Sequence, residues 1–148
     1  MAQRLLLSTC VWGSYVDLFL EYTLPSLISK GNILSKHKKV EISLLFLISK
    51  SDFKKFKENI NIKKIPNVSY FSIDNFMNKK SVTKYNILNQ SQKKVFEIVN
   101  KENFDYLMLF YADSIFPENY VKNCLNLIEN SDVVLSPGPL INLEKFIE

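Results

Sequence analysis

The chain has 148 residues, 47% of them hydrophobic and 23% charged, which is ordinary globular composition and enough length to bury a core. Nineteen basic residues against fifteen acidic ones leave a thinly spread net charge of +4. All the basic residues but Arg4 are lysines, which argues against a specific nucleic-acid reader, since such proteins lean on bidentate Arg.

Residues 4–9 are a short apolar run that predicts a buried strand, too short for a signal-peptide core because Ser8 and Thr9 end it. Residues 15–28 place Val16, Phe19, Leu20, Leu24 and Leu27 at helical spacing. Pro25 predicts a kink or restart there, with Thr23 capping the second piece, and Gly31-Asn32 a left-handed end. Residues 40–49 predict a second strand. Its continuous apolar run suits a parallel sheet covered on both faces. That run, residues 42–48, is far below the roughly 20 residues that cross a bilayer, so a cytoplasmic protein without a transmembrane segment is expected.

Ser51 or Asp52 can cap a lysine-rich helix reaching residue 60. Residues 68–73 predict a third strand, and polar residues 74–83 a loop. A long helix over 84–100 is expected to share Tyr85, Leu88, Val95, Phe96 and Val99 on one face, with Gln92 as a polar intruder. Residues 106–111 predict a fourth strand. Pro117 suits the first turn of another helix, with Tyr120 or Val121, Cys124, Leu125 and Ile128 inward. Residues 133–135 predict a fifth strand, and Pro137-Gly138-Pro139 a turn. Cys10 and Cys124 lack C-x-x-C spacing and read as reduced core thiols.

Strands alternating with helices predict a single α/β domain over residues 1–148, with a mostly parallel central sheet and helices on both faces. Ligands of such sheets bind outside the carboxyl ends of the strands, which selects residues 9–14, 49–52, 73–84 and 112–116. Asp113 follows an apolar strand, so its carboxylate should emerge at that edge, either to meet a ligand or cation or to cap a turn. Trp12 can stack on a base or plug the core, and Gly13 allows close backbone approach or a turn. His37 stands alone and supplies neither a zinc site nor a Ser-His-Asp arrangement. Three glycines leave no P-loop and no dinucleotide fingerprint.

The stretch Phe104-Asp105-Tyr106-Leu107-Met108-Leu109-Phe110-Tyr111-Ala112-Asp113-Ser114-Ile115-Phe116-Pro117-Glu118-Asn119-Tyr120 resembles the acidic-motif region of GT-A-fold nucleotide-sugar glycosyltransferases. The opening resembles certain bacterial glycosyltransferase-like proteins, in residues 5–10, Val11-Trp12-Gly13-Ser14-Tyr15, Leu24-Pro25-Ser26-Leu27 and Gly31-Asn32. The resemblance covers nearly all of this chain but only the nucleotide-binding half of such an enzyme, which implies a truncated or degenerate form. It implies binding of a nucleoside diphosphate sugar and transfer of the sugar to an acceptor. Thr9, Cys10, Trp12 and Gly13 would lie near the base, Asp52 near the base or ribose, and a lysine near the diphosphate, Lys84 matching better than Lys79 or Lys80. Asp113 would hold the diphosphate through a divalent cation, Mn or Mg. The family motif usually has two aspartates, and here only Asp113 survives, with Ala112 and Ser114 beside it. The competing expectation is a non-catalytic α/β binding or scaffold domain that keeps the fold without turnover.

Overall fold

A computed structural model describes residues 2–37, 39–78 and 83–135. Four strands, β1 (Gln3–Val11), β2 (Val40–Ile48), β3 (Val68–Ser72) and β4 (Tyr106–Leu109), form one all-parallel sheet in the order β3-β2-β1-β4. β1 and β2 pair along their whole length, from Gln3 opposite Val40 to Val11 opposite Ile48. Their near-continuous apolar runs have a physical reason, because alternate residues feed two separate cores. Leu5, Leu7 and Val11 join Leu44, Phe46 and Ile48 on one face. Leu6 joins Leu45 and Leu47 on the other.

The first face is covered by α1 (Tyr15–Leu18), α2 (Leu24–Leu27), α3 (Lys50–Glu58) and α6 (Tyr120–Ile128). Phe46 is its centre, edge-on to Phe19 at 5.3 Å and to Phe56 at 5.0 Å between ring centroids. The second face is covered by α5 (Lys84–Glu102), with the short α4 (Asp74–Met77) contributing Phe76 at its rim. Helices on opposite faces follow from the strand order. The crossovers β1 to β2 and β2 to β3 move one way along the sheet, while β3 to β4 returns past β1, and right-handed connections then require opposite faces.

Several local expectations are corrected. The helix over residues 15–28 does not restart, since Thr23 and Leu24 keep helical dihedrals. A π-helical turn, Phe19–Thr23, joins α1 to α2 just ahead of Pro25, whose missing N–H it accommodates. Thr23 is itself helical and does not cap; its hydroxyl donates to the Ala112 carbonyl at 2.7 Å. The cap of α3 is Ser49, not Ser51 or Asp52, its hydroxyl accepting from the Asp52 N–H. Residues 74–77 are helical rather than loop.

On α5 the buried residues are Ile87, Ser91 and Val95, while Tyr85 and Phe96 are exposed, so the inward face is rotated from the expected one. α6 begins three residues after Pro117, at a left-handed Asn119, but buries the expected side through Val121. Residues 133–135 form no strand, and Val133 and Leu135 are exposed. Lys79 and Lys80 and the Pro137-Gly138-Pro139 turn lie outside the described residues.

A polar clasp joins the loop after α2 to the segment before α6. The fully buried Asn32 carboxamide donates to the carbonyls of Ser26 and Pro117, both at 3.0 Å, and accepts from the Val121 N–H at 3.0 Å. Backbone bonds from Asn119 N–H to the Lys30 carbonyl (2.8 Å) and from Lys122 N–H to the Gly31 carbonyl (3.3 Å) flank it. The chain leaving β4 is thereby fastened to the first βα unit.

Candidate functional site

The strand order places the topological switch between β1 and β4, because the chain leaves β1 in one direction and returns on its other side. There the two strands part. The last rung is Phe110 N–H donating to the Ser8 carbonyl at 3.2 Å, yet β1 continues to Val11. Cys10 therefore presents its backbone N–H and carbonyl toward the β4 side beyond the end of the ladder, since alternate residues of a strand bond to the same neighbour.

A cavity of about 110 Å3 occupies this crevice beneath α5. Thr9, Cys10, Leu88, Ser91, Gln92 and Tyr111 are among the residues that line it. Cys10 Sγ and Ser91 Oγ share a hydrogen bond at 3.2 Å. Burial pushes the Cys10 thiol up to about 11, with the Ser91 bond pulling the other way, so the thiol is neutral at physiological pH and a slow nucleophile. Thr9 Oγ1 is buried without a hydrogen-bond partner among the described residues. An orphaned hydroxyl of this kind costs about 1–3 kcal/mol, and it sits at the strand end where the sheet opens.

The other expected residues lie along the same carboxyl edge but outside the cavity. Trp12 is half-buried against the α5-side core, its ring 6.4 Å from that of Tyr15. Gly13 has a positive φ of 59° with open space about it, and its N–H donates to Asp52 Oδ2 at 3.1 Å. Asp52 Oδ2 also accepts from the Ser49 hydroxyl at 2.6 Å, so this carboxylate locks the β1 loop to the β2 loop. Lys84 opens α5, exposed, with its ammonium 5.3 Å from the Tyr85 ring centre.

Asp113 is exposed on the turn after β4 and does not line the crevice cavity. Its turn is closed by Ser114 N–H donating to the Tyr111 carbonyl at 3.1 Å. Among the described residues no three His, Cys, Asp or Glu side chains gather as a metal site. The described residues thus do not fit a cation held by protein ligands alone, which needs several oxygen donors.

Of the expected residues, Thr9 and Cys10 line the cavity, Gly13 is bonded to Asp52 and Trp12 packs on the α5 side, apart from both. Ser91, Gln92 and Tyr111 were missed as lining residues. For Gln92 a signal existed, a carboxamide on the apolar side of a helix. Set against models of known families, against curated proteins and against solved structures, the chain matches none.

Proposed function

We propose that this chain is a glycosyltransferase-like domain that binds a nucleoside diphosphate sugar along the carboxyl edge of its sheet, for transfer of the sugar to an acceptor. The observation that carries the reading is the cavity at the β1–β4 switch point, where ligands of doubly wound parallel sheets bind. The GT-A resemblance of residues 104–120 puts Asp113 on the same edge, and the Asn32 clasp holds the following segment. Lys84 is the cation assigned to the diphosphate. No step of the proposal runs through a metal.

A second reading, a binding domain without turnover, is favoured by Asp113 standing exposed and outside any cluster of three metal-ligating side chains among the described residues. Both readings require donor binding, and the test begins there. Thermal unfolding is followed with uridine and guanosine diphosphate sugars, with and without manganese, for the natural chain and for Asp113→Asn. The expected result is a raised Tm with at least one sugar nucleotide, reduced in the variant. No shift with any sugar nucleotide overturns both readings. Binding without sugar release to water or to added acceptors supports the second.

A further inference from the structure

The crevice cavity has a chemical character that narrows what enters it. Its lining carries no charge at neutral pH: the polar groups are hydroxyls, the Cys10 thiol and the Gln92 carboxamide, and the walls are apolar at Leu47, Leu88 and Val95. A diphosphate has no partner there. A sugar, with a hydroxyl on nearly every carbon, would leave most of them unpaired against those walls.

Two donor–acceptor pairs are open. One is the Gln92 carboxamide, which makes no hydrogen bond to another described residue. The other is the Cys10 backbone beyond the last β4 rung. Each offers an N–H beside a C=O, the complement of the ring amide edge of a nucleobase. Size makes a further distinction. A volume of about 110 Å3 is comparable with the roughly 150 Å3 cavity known to hold one benzene ring. It encloses one six-membered ring, whereas a fused purine would leave its second ring standing in the open mouth. Tyr111, exposed at the mouth, offers an aromatic face to what protrudes.

We propose that the β1–β4 crevice is a pyrimidine subsite, with Gln92 and the Cys10 backbone reading the base edge. The proposal deepens the nucleotide-sugar reading and rests on it for the rest of the ligand. It moves the base away from Trp12 and from Asp52, which is already engaged by Ser49 and Gly13.

Cys10 supplies the readout, because its thiol lies in the cavity while Cys124 lies on α6, on the other face. The full chain is alkylated with iodoacetamide at mildly alkaline pH, and each cysteine is quantified by peptide mass spectrometry. Uridine, thymidine and cytidine are added in parallel with adenosine and guanosine. A pyrimidine nucleoside at ten times its Kd is expected to slow Cys10 alkylation about tenfold. Cys124 should be unaffected and purines should not protect. Gln92→Leu and Gln92→Glu, each checked for an unchanged circular dichroism spectrum and compared with its own Cys10 rate without ligand, should raise the Kd about tenfold, so that the same ligand concentration slows alkylation only about twofold.

Equal protection by adenosine, or protection that survives both Gln92 variants, overturns the proposal. So does a sugar nucleotide that raises Tm while leaving Cys10 unprotected, and the broader function then stands. Protection by uridine with no binding of any diphosphate sugar keeps the pyrimidine subsite and discards the glycosyltransferase reading.

Discussion

Two glycines with left-handed backbones behave differently, because their surroundings differ. Gly31, at φ 76°, would place a Cβ 2.7 Å from the Asn119 Cα, a backbone atom pinned by the clasp. Gly13, at φ 59°, would meet nothing within 4 Å. Gly31→Ala therefore combines backbone strain with an overlap that cannot relax, and should lower the unfolding free energy by about 2–4 kcal/mol. Gly13→Ala should cost only about 1 kcal/mol, the strain alone. Urea denaturation of the two variants measures the difference, and equal losses would mean that the clasp yields. The sequence marks both glycines as turn residues. It does not show that Gly31 faces Asn119, because that approach depends on how α6 docks.

At the level of elements, Ser49 does more than begin α3. Its hydroxyl accepts from Asp52 N–H and donates to Asp52 Oδ2, which in turn receives Gly13 N–H. Ser49→Ala is expected to destabilise the protein by about 1–2 kcal/mol, the range for a lost N-cap. It should also loosen the loop carrying Trp12, seen as a changed fluorescence maximum in the folded state. Lys54→Ala, which removes an exposed pair with Glu58 at 4.0 Å on the same helix, should change stability by less than about 0.5 kcal/mol. The helix was legible from its lysines and phenylalanines, but the cap was placed two or three residues late. Ser49, Ser51 and Asp52 are all good caps, and only the end of β2 at Ile48 selects among them. On α5, Ile87, Ser91 and Val95 form an inward stripe that a search for large apolar residues passes over, since Ser91 is small and polar. The small side chain leaves the space that Cys10 and the cavity occupy.

Across the whole molecule, stability is expected to be graded along the sheet. β1 and β2 share a nine-residue register and most of both cores, whereas β4 has four residues, is half-buried and is an edge strand among the described residues. Hydrogen exchange followed by mass spectrometry should find the β2 amides slowest. The β4 amides should exchange measurably earlier, because sub-global opening takes the less buried element first. Identical protection in the two strands would show the sheet to open as one unit. Ligand in the crevice touches both β1 and β4 under the proposal above, so it should slow β4 more than β2.

The layered α/β character, the four strands and the side of α6 that turns inward were readable from residue order. Each depends on apolar spacing within a window of about ten residues, where period two and period 3.6 are distinct. The place where β1 and β4 part, the turn of Gln92 and Ser91 toward Cys10, and the grip of Asn32 on Pro117 and Val121, 85 and 89 residues away, were not readable. Those features arise only when helices dock on a finished sheet, since contact between distant residues is set by packing geometry that no local pattern encodes.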